Sequence, residues 1–229
     1  MLQHDHDHTA SGNTRTAWLV TGAVAGLSVL GIGVAAGFWF GRGEPPAPAA
    51  TSAPATYSMA TIGNACDLVD PAPLTAWAPT PRNLSDHKEI PPSADDAGSL
   101  SCHLDYTAAP DRAYSFDRAD LLLEVEFTNG SAPPFYDHWK HADTVTHAGP
   151  GTDSGPLTDV GTQGYWHWEN TDNLTAHRAY AAAAQDGNVS VRVRIGYSRE
   201  DKQEAASWAE LGTIARAQVR SALAGLRTR

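Results

Sequence analysis

Few places in this 229-residue chain carry side chains that could do chemistry. Cys66 and Cys102 are its only cysteines, and no Cys-x-x-Cys spacing occurs, so the pair reads as a cross-link or as two unrelated buried thiols. Trp166, His167 and Trp168 form a short aromatic run. Indole faces bind sugars and apolar groups, which makes Trp166 and Trp168 candidate ligand-binding residues. Both also fall on one strand face, where packing beneath a helix is the competing reading. His138 and His141 share a helical face with Asp137 nearby, but metal-binding helices more often use an i,i+4 pair with a third ligand. Asp153-Ser154-Gly155-Pro156 is close to the surroundings of a chymotrypsin-like serine, yet lacks the second glycine and the upstream His/Asp context. Glu124 and Glu126 are the paired carboxylates, on a strand face expected to meet solvent. At the start of the chain His4, His6 and His8 alternate with Asp5 and Asp7, a composition that chelates Zn, Ni or Cu, with a solvated tail as the default. No phosphate-binding glycine loop occurs. These residues assign no catalytic group, no cofactor and no metal site.

Charge narrows the partners. The formal net charge is −10, and leaving out Asp5, Asp7, Arg15 and Arg42 does not alter it. An acidic chain without a basic stripe is repelled by phosphate backbones, so nucleic acid is not an expected partner.

The elements that must position these residues begin with an anchor. Residues 1–16 read as a His/Asp tail, 17–40 as a transmembrane helix, 41–61 as a Pro/Ala-rich linker and 62–229 as one domain. Ala17 to Phe40 carries no charge and, at about 1.5 Å per residue, spans roughly 36 Å against a hydrocarbon core of about 30 Å. Arg15 and Arg42 bracket it, with Trp18 and Trp39 just inside them where indoles favour the lipid boundary. A cleavable signal peptide is the alternative, but its apolar region normally runs about 7–15 residues. Gly22/Gly26 and Gly33/Gly37 are two GxxxG pairs near one helical face. They predict a helix-pairing surface and a homodimer through the anchor; the competing reading is that glycine is common in membrane helices. One arginine on each side leaves the orientation to the cysteines. A pair in the long C-terminal part fits an oxidising compartment, so the N-terminus is expected in the cytoplasm and the domain outside.

Within the domain, Asp70-Pro71 marks a helix start, with Leu74 and Trp77 inward. A loop is expected from Pro79 to Gly98, then a strand, SLSCHLDYT, that carries Cys102. A bridge to Cys66 would contribute about 2–4 kcal/mol. Asp120–Thr128 and Asn188–Ser198 alternate cleanly, placing Leu121, Leu123, Val125 and Phe127 on one face with Val189, Val191, Val193, Ile195 and Tyr197. If these strands are neighbours, Glu124 and Glu126 can meet Arg192 and Arg194 across the ladder. Gly164–Glu169 and Leu174–Ala184 give two more strands, with a hairpin turn at Asp186-Gly187. Ser131 is expected to cap a helix with Phe135, Trp139 and Ala142 along one stripe. Asp201 is expected to cap a last helix with Trp208, Leu211, Ala215, Val219, Ala222 and Leu226 forming one inward stripe. The order α-β-β-α-β-β-β-α predicts an α+β fold with a mainly antiparallel sheet of about five strands.

This arrangement resembles a family. Ala65-Cys66-Asp67-Leu68-Val69-Asp70, a second cysteine at Cys102, Val160-Gly161 before an aromatic strand, the Asp186-Gly187-Asn188-Val189 hairpin and a terminal amphipathic helix are similar to actinobacterial exported domains of unknown function, often lipoproteins. Those domains are in turn similar to the extracellular sensor domain of some actinobacterial serine/threonine kinases. The resemblance covers roughly residues 62–227 and implies a PsbP-like sandwich with a binding or sensing role. The chain differs in having an anchor helix where those proteins have a lipidated cysteine, and it has no kinase domain. The expectation is a single-pass membrane protein whose extracytoplasmic domain binds, senses or scaffolds an envelope ligand or protein without catalysis. An enzyme acting on cell-envelope material is the alternative.

Overall fold

The computed structural model describes residues 56–111, 115–129, 135–172, 175–200 and 206–228. The anchor span 17–40, Gly22, Gly26, Gly33, Gly37 and the His/Asp tail lie outside them. Among the described residues no helix is long and apolar enough to cross a membrane.

One antiparallel sheet of eight strands organises the domain: β1 (Thr80–Pro81), β2 (Asp86–Ile90), β3 (Ser99–Thr107), β4 (Arg118–Phe127), β5 (Thr152–Pro156), β6 (Gln163–Asp172), β7 (Ala176–Asp186) and β8 (Val189–Arg199). Across it the order is β1-β3-β4-β8-β7-β6-β5, with β2 sharing the outer edge of β3 beside β1. The fold is α+β as expected, but the sheet has eight strands rather than five. The three extra ones are short edge strands of polar sequence (β1, β2 and β5). Edge position leaves both their faces wet, so no apolar alternation marks them.

β4 and β8 pair as their alternation predicts, with Leu121 opposite Ile195, Leu123 opposite Val193 and Val125 opposite Val191. These side chains are at most 1% exposed. α3 (Trp208–Leu226) closes this face over β7 and β8, burying Leu211, Ala215, Val219, Ala222 and Leu226, whereas Trp208, expected on the same stripe, stands in the first turn and is 52% exposed. Its cap is Ser207, whose side chain accepts from the Glu210 amide, so α3 starts at Trp208; Asp201, the expected cap, lies outside the described residues. Ser-x-x-Glu at this point is the capping-box spacing. The buried Gln218 holds the helix to the start of the domain, since its amide both accepts from Asp70 N and donates to Asp70 O.

At that start a 3-10 turn (Ala65–Leu68) leads into α1 (Ala72–Thr75), where Asp70 Oδ1 accepts from Ala72 N. Leu74 is fully buried, and Trp77 packs on Tyr197 with ring centroids 5.6 Å apart. The Cys66–Cys102 disulfide ties this turn to β3 with the Cα atoms 5.1 Å apart. It closes 36 residues of chain, which lowers the entropy of the unfolded state by about 4 kcal/mol at room temperature.

The opposite face is polar. α2 (Phe135–His141), continued by a π turn (Ala142–Thr146), lies across β7 and β8 there. Trp139 is buried as expected, but Tyr136 and Asp143 take the inward places expected for Phe135, which is 45% exposed, and Ala142; Ser131, the expected cap, lies outside the described residues. Tyr136 packs edge-on against Tyr165, and a buried ion pair holds Asp143 inward. A hydrophobic repeat registers neither contact.

Candidate functional site

Two places gather groups that could act on another molecule. The larger is a cavity of about 600 Å³ at the end of the sheet where the β2–β3 loop, the end of β4 and the β7–β8 turn converge. Its walls are apolar, with Tyr57, Met59, Ile62, Pro92, Ala97 and Phe127 drawn from three separate stretches of chain. Tyr57 and Met59 are themselves buried, which the strand-like bridge from Tyr57 to Arg227 enforces. Ser58 N donates to Leu226 O and Thr228 N to Thr56 O, while Asn188 brackets the Tyr57 backbone by accepting from its N–H and donating to its carbonyl. The Tyr57 hydroxyl donates to Asp186. Burial, then that carboxylate, pushes the phenol up to about 12, so it stays protonated at any ordinary pH. Next to the lining residue Ala97, Gly98 (φ 94°) packs against Met59, and a side chain there would run into the Met59 sulfur and the Ile90 carbonyl. Glu89, Asp96, Asn129 and Asn188 supply the polar part of the lining. A concave, mostly apolar pocket with a few convergent polar groups is the usual form of a small-ligand site.

The second place is the polar face. Arg192 joins Glu124 at 2.8 Å to Asp143 at 2.6 Å, and Asp143 also accepts from the buried Tyr165 hydroxyl at 2.6 Å. Arg194 meets Glu169 at 3.3 Å, and the buried His167 places Nε2 3.4 Å from the same carboxylate. The neighbouring His167 imidazole, with Arg194 adding to it, holds the Glu169 carboxyl down to about 2 against the cost of burial. The Glu124–Arg192 pair appears as expected; Glu126 instead lies opposite Ser190, and Arg194 opposite Leu122. Asp120 folds over Gly196, which has no side chain to obstruct it, and burial raises its carboxyl. An open groove of about 470 Å³ runs past Arg192, Arg194, Glu169, Asn170 and His147.

Beside that groove Ser198 Oγ lies 2.9 Å from His177 Nδ1, and burial, then Arg194, lowers the imidazole so that it is neutral near pH 7. A neutral imidazole beside a hydroxyl is a base next to a potential nucleophile. Acyl transfer also needs N–H donors aimed at the oxyanion that develops on the substrate. β7 and β8 are both interior strands, and their backbone groups are engaged in ladders on either side.

Trp166 and Trp168 point to the helix-covered side, half-buried against the core, and Trp166 stacks on Tyr180 with centroids 5.9 Å apart. They line neither the cavity nor the groove. His138 and His141 are exposed on α2, and Asp153–Pro156 belongs to β5 rather than to a loop. Among the described residues no group of three or more His, Cys, Asp or Glu is placed to hold a metal ion. Tyr57, Met59, Phe127 and Asn188 escaped sequence reasoning because the first two sit in a segment whose composition is that of a linker. Compared with known proteins, the chain matches no family model, no curated protein and no solved structure.

Proposed function

We propose that this chain is a single-pass membrane protein whose extracytoplasmic domain is a non-catalytic binding or sensing module of the cell envelope, with the end cavity as its ligand site. The cavity is the observation that carries this reading. It is large enough for a small molecule, walled by apolar side chains, and built from segments locked by the Tyr57–Arg227 bridge. The PsbP-like sandwich belongs to the same proposal, supported by the helix-on-sheet layering and the Cys66–Cys102 bridge. A disulfide also favours the domain lying outside. Alkaline phosphatase fused after Arg229 should therefore be active in whole cells; an inactive fusion present at normal level would overturn the orientation.

The ligand site is tested on the full chain in lipid nanodiscs by ligand-observed NMR with benzyl alcohol as the probe. The wild type is expected to bind it and Ala97→Trp, which fills the cavity, to lose it at unchanged melting temperature. Equal binding by both would remove the cavity from the reading. The Ser198–His177 pair favours the alternative of a hydrolase of envelope material. Labelling of Ser198 by a fluorophosphonate would move the assignment to that class.

A further inference from the structure

We propose that the end cavity selects an amphipathic cation, a molecule with an apolar or aromatic body and an ammonium or guanidinium head. This rests on the cavity being the binding site and adds the chemical class of its ligand. The body follows from the walls: Met59, Ile62, Pro92 and Ala97 offer only apolar contact. The head follows from the charges. Glu89 and Asp96 line the cavity, and no Lys, Arg or His does so among the described residues. Asp96 is exposed, commits one oxygen to the Gly98 amide at 2.8 Å, and pairs with no basic side chain among the described residues. Its field reaches Glu126, whose carboxyl is pushed up to about 7 by burial and then by Asp96 and Glu124. Asp186, the acceptor of the Tyr57 hydroxyl, adds a third carboxylate to Glu89 and Asp96.

The opposing charges are weaker. His87 Nδ1 lies 3.0 Å from Glu89 Oε1, which also accepts from Ala65 N, so Glu89 is partly occupied. Arg227 acts on the Tyr57 hydroxyl from behind and is not in the lining. What remains is a lining of net negative charge that includes two aromatic side chains, Tyr57 and Phe127. Aromatic rings with nearby carboxylates attract an alkylammonium through the ring quadrupole and direct Coulomb terms. A fatty acid or an anionic headgroup would meet charge of its own sign.

Three probes of one shape separate the terms: benzyltrimethylammonium, whose charge does not depend on pH, benzyl alcohol and phenylacetate. They are titrated against the full chain in nanodiscs of zwitterionic lipid, with empty nanodiscs subtracted. The cation is expected to bind about tenfold tighter than the alcohol at ~50 mM salt, and phenylacetate weakest. Asp96→Asn should cut the preference to about threefold while leaving the alcohol unchanged, and raising the salt should do the same in the wild type. Ala97→Trp should abolish all three signals, with Ala97→Leu as substitute if the tryptophan variant unfolds. Phenylacetate binding as tightly as the cation would overturn the charge assignment and leave the cavity standing. So would a preference untouched by Asp96→Asn together with Glu89→Gln. Absence of benzyl alcohol binding would instead bring down the cavity reading itself. If deleting residues 41–55 sharply raised the alcohol's affinity, the chain's own Pro/Ala segment would be the occupant and the cation proposal would fall.

Discussion

The two faces of the sheet share one backbone and differ in what holds their covers on. On one face Leu121, Leu123, Val125, Val193 and Ile195 meet α3 through its Leu211–Leu226 stripe, and nearly every side chain is sealed from water. On the other, α2 rests on two buried aromatic residues, Tyr136 and Trp139, and on a charge relay from Asp143 through Arg192 to Glu124. Apolar contact is summed over many atoms and loses little when one is trimmed. A desolvated ion pair depends on both partners, because the survivor of a deletion is left as an unpaired buried charge. α3 is therefore held by area and α2 by a few specific atoms.

That contrast can be broken from the polar side first. Asp143→Ala leaves Arg192 with only Glu124 and removes the acceptor of the Tyr165 hydroxyl, and should cost about 3–5 kcal/mol in chemical denaturation. Replacing Asp143, Arg192 and Glu124 together by Leu, Met and Leu should recover most of that loss, since no charge is then stranded. If the triple variant is as unstable as the single, the relay contributes net stability and α2 is not held as argued. On the apolar side, Leu211→Ala in fully buried surroundings should cost about 3 kcal/mol, with α2 unaffected in amide hydrogen exchange. Loss of α2 protection in that variant would show that the two covers are coupled.

The smallest effect is a pH profile. Glu126 has its carboxyl raised from its usual 4.5 to about 7, so the folded state binds that proton more tightly, and stability falls as pH rises through that window. Glu169, lowered to about 2, does the reverse: its contribution is complete above about 4.5 and is lost as pH falls toward 2. Stability should then peak near pH 4–5. Glu126→Gln should flatten the upper limb by about 1 kcal/mol, after allowing for solvent screening at a half-buried site. An unchanged upper limb in that variant would assign it to other groups.

The apolar face was readable because period-two alternation is written into Leu121-Leu122-Leu123-Glu124-Val125 and again into Val189–Tyr197. The Glu124–Arg192 pair followed from it, but the register that sets Glu126 against Ser190 depends on the whole ladder and has no local mark. On α2 Trp139 was read correctly, but Ala142 was taken for the inward residue in place of Asp143, because an aspartate is expected outside unless a partner neutralises it. The cap at Ser207 was missed because serine and aspartate are equally good caps and the sequence offers both before Trp208. The cavity was the least readable feature. Tyr57, Pro92, Phe127 and Asn188 meet only once the sheet has formed, and Tyr57 is fixed by a partner 170 positions away at Arg227.

That last contact has a topological consequence. Thr56 and Thr228 are hydrogen-bonded to each other, so the chain enters and leaves the domain at one point, side by side. A domain with adjacent ends is a cassette: it can be spliced into a surface loop of another protein, or circularly permuted by joining those ends, without stretching its fold.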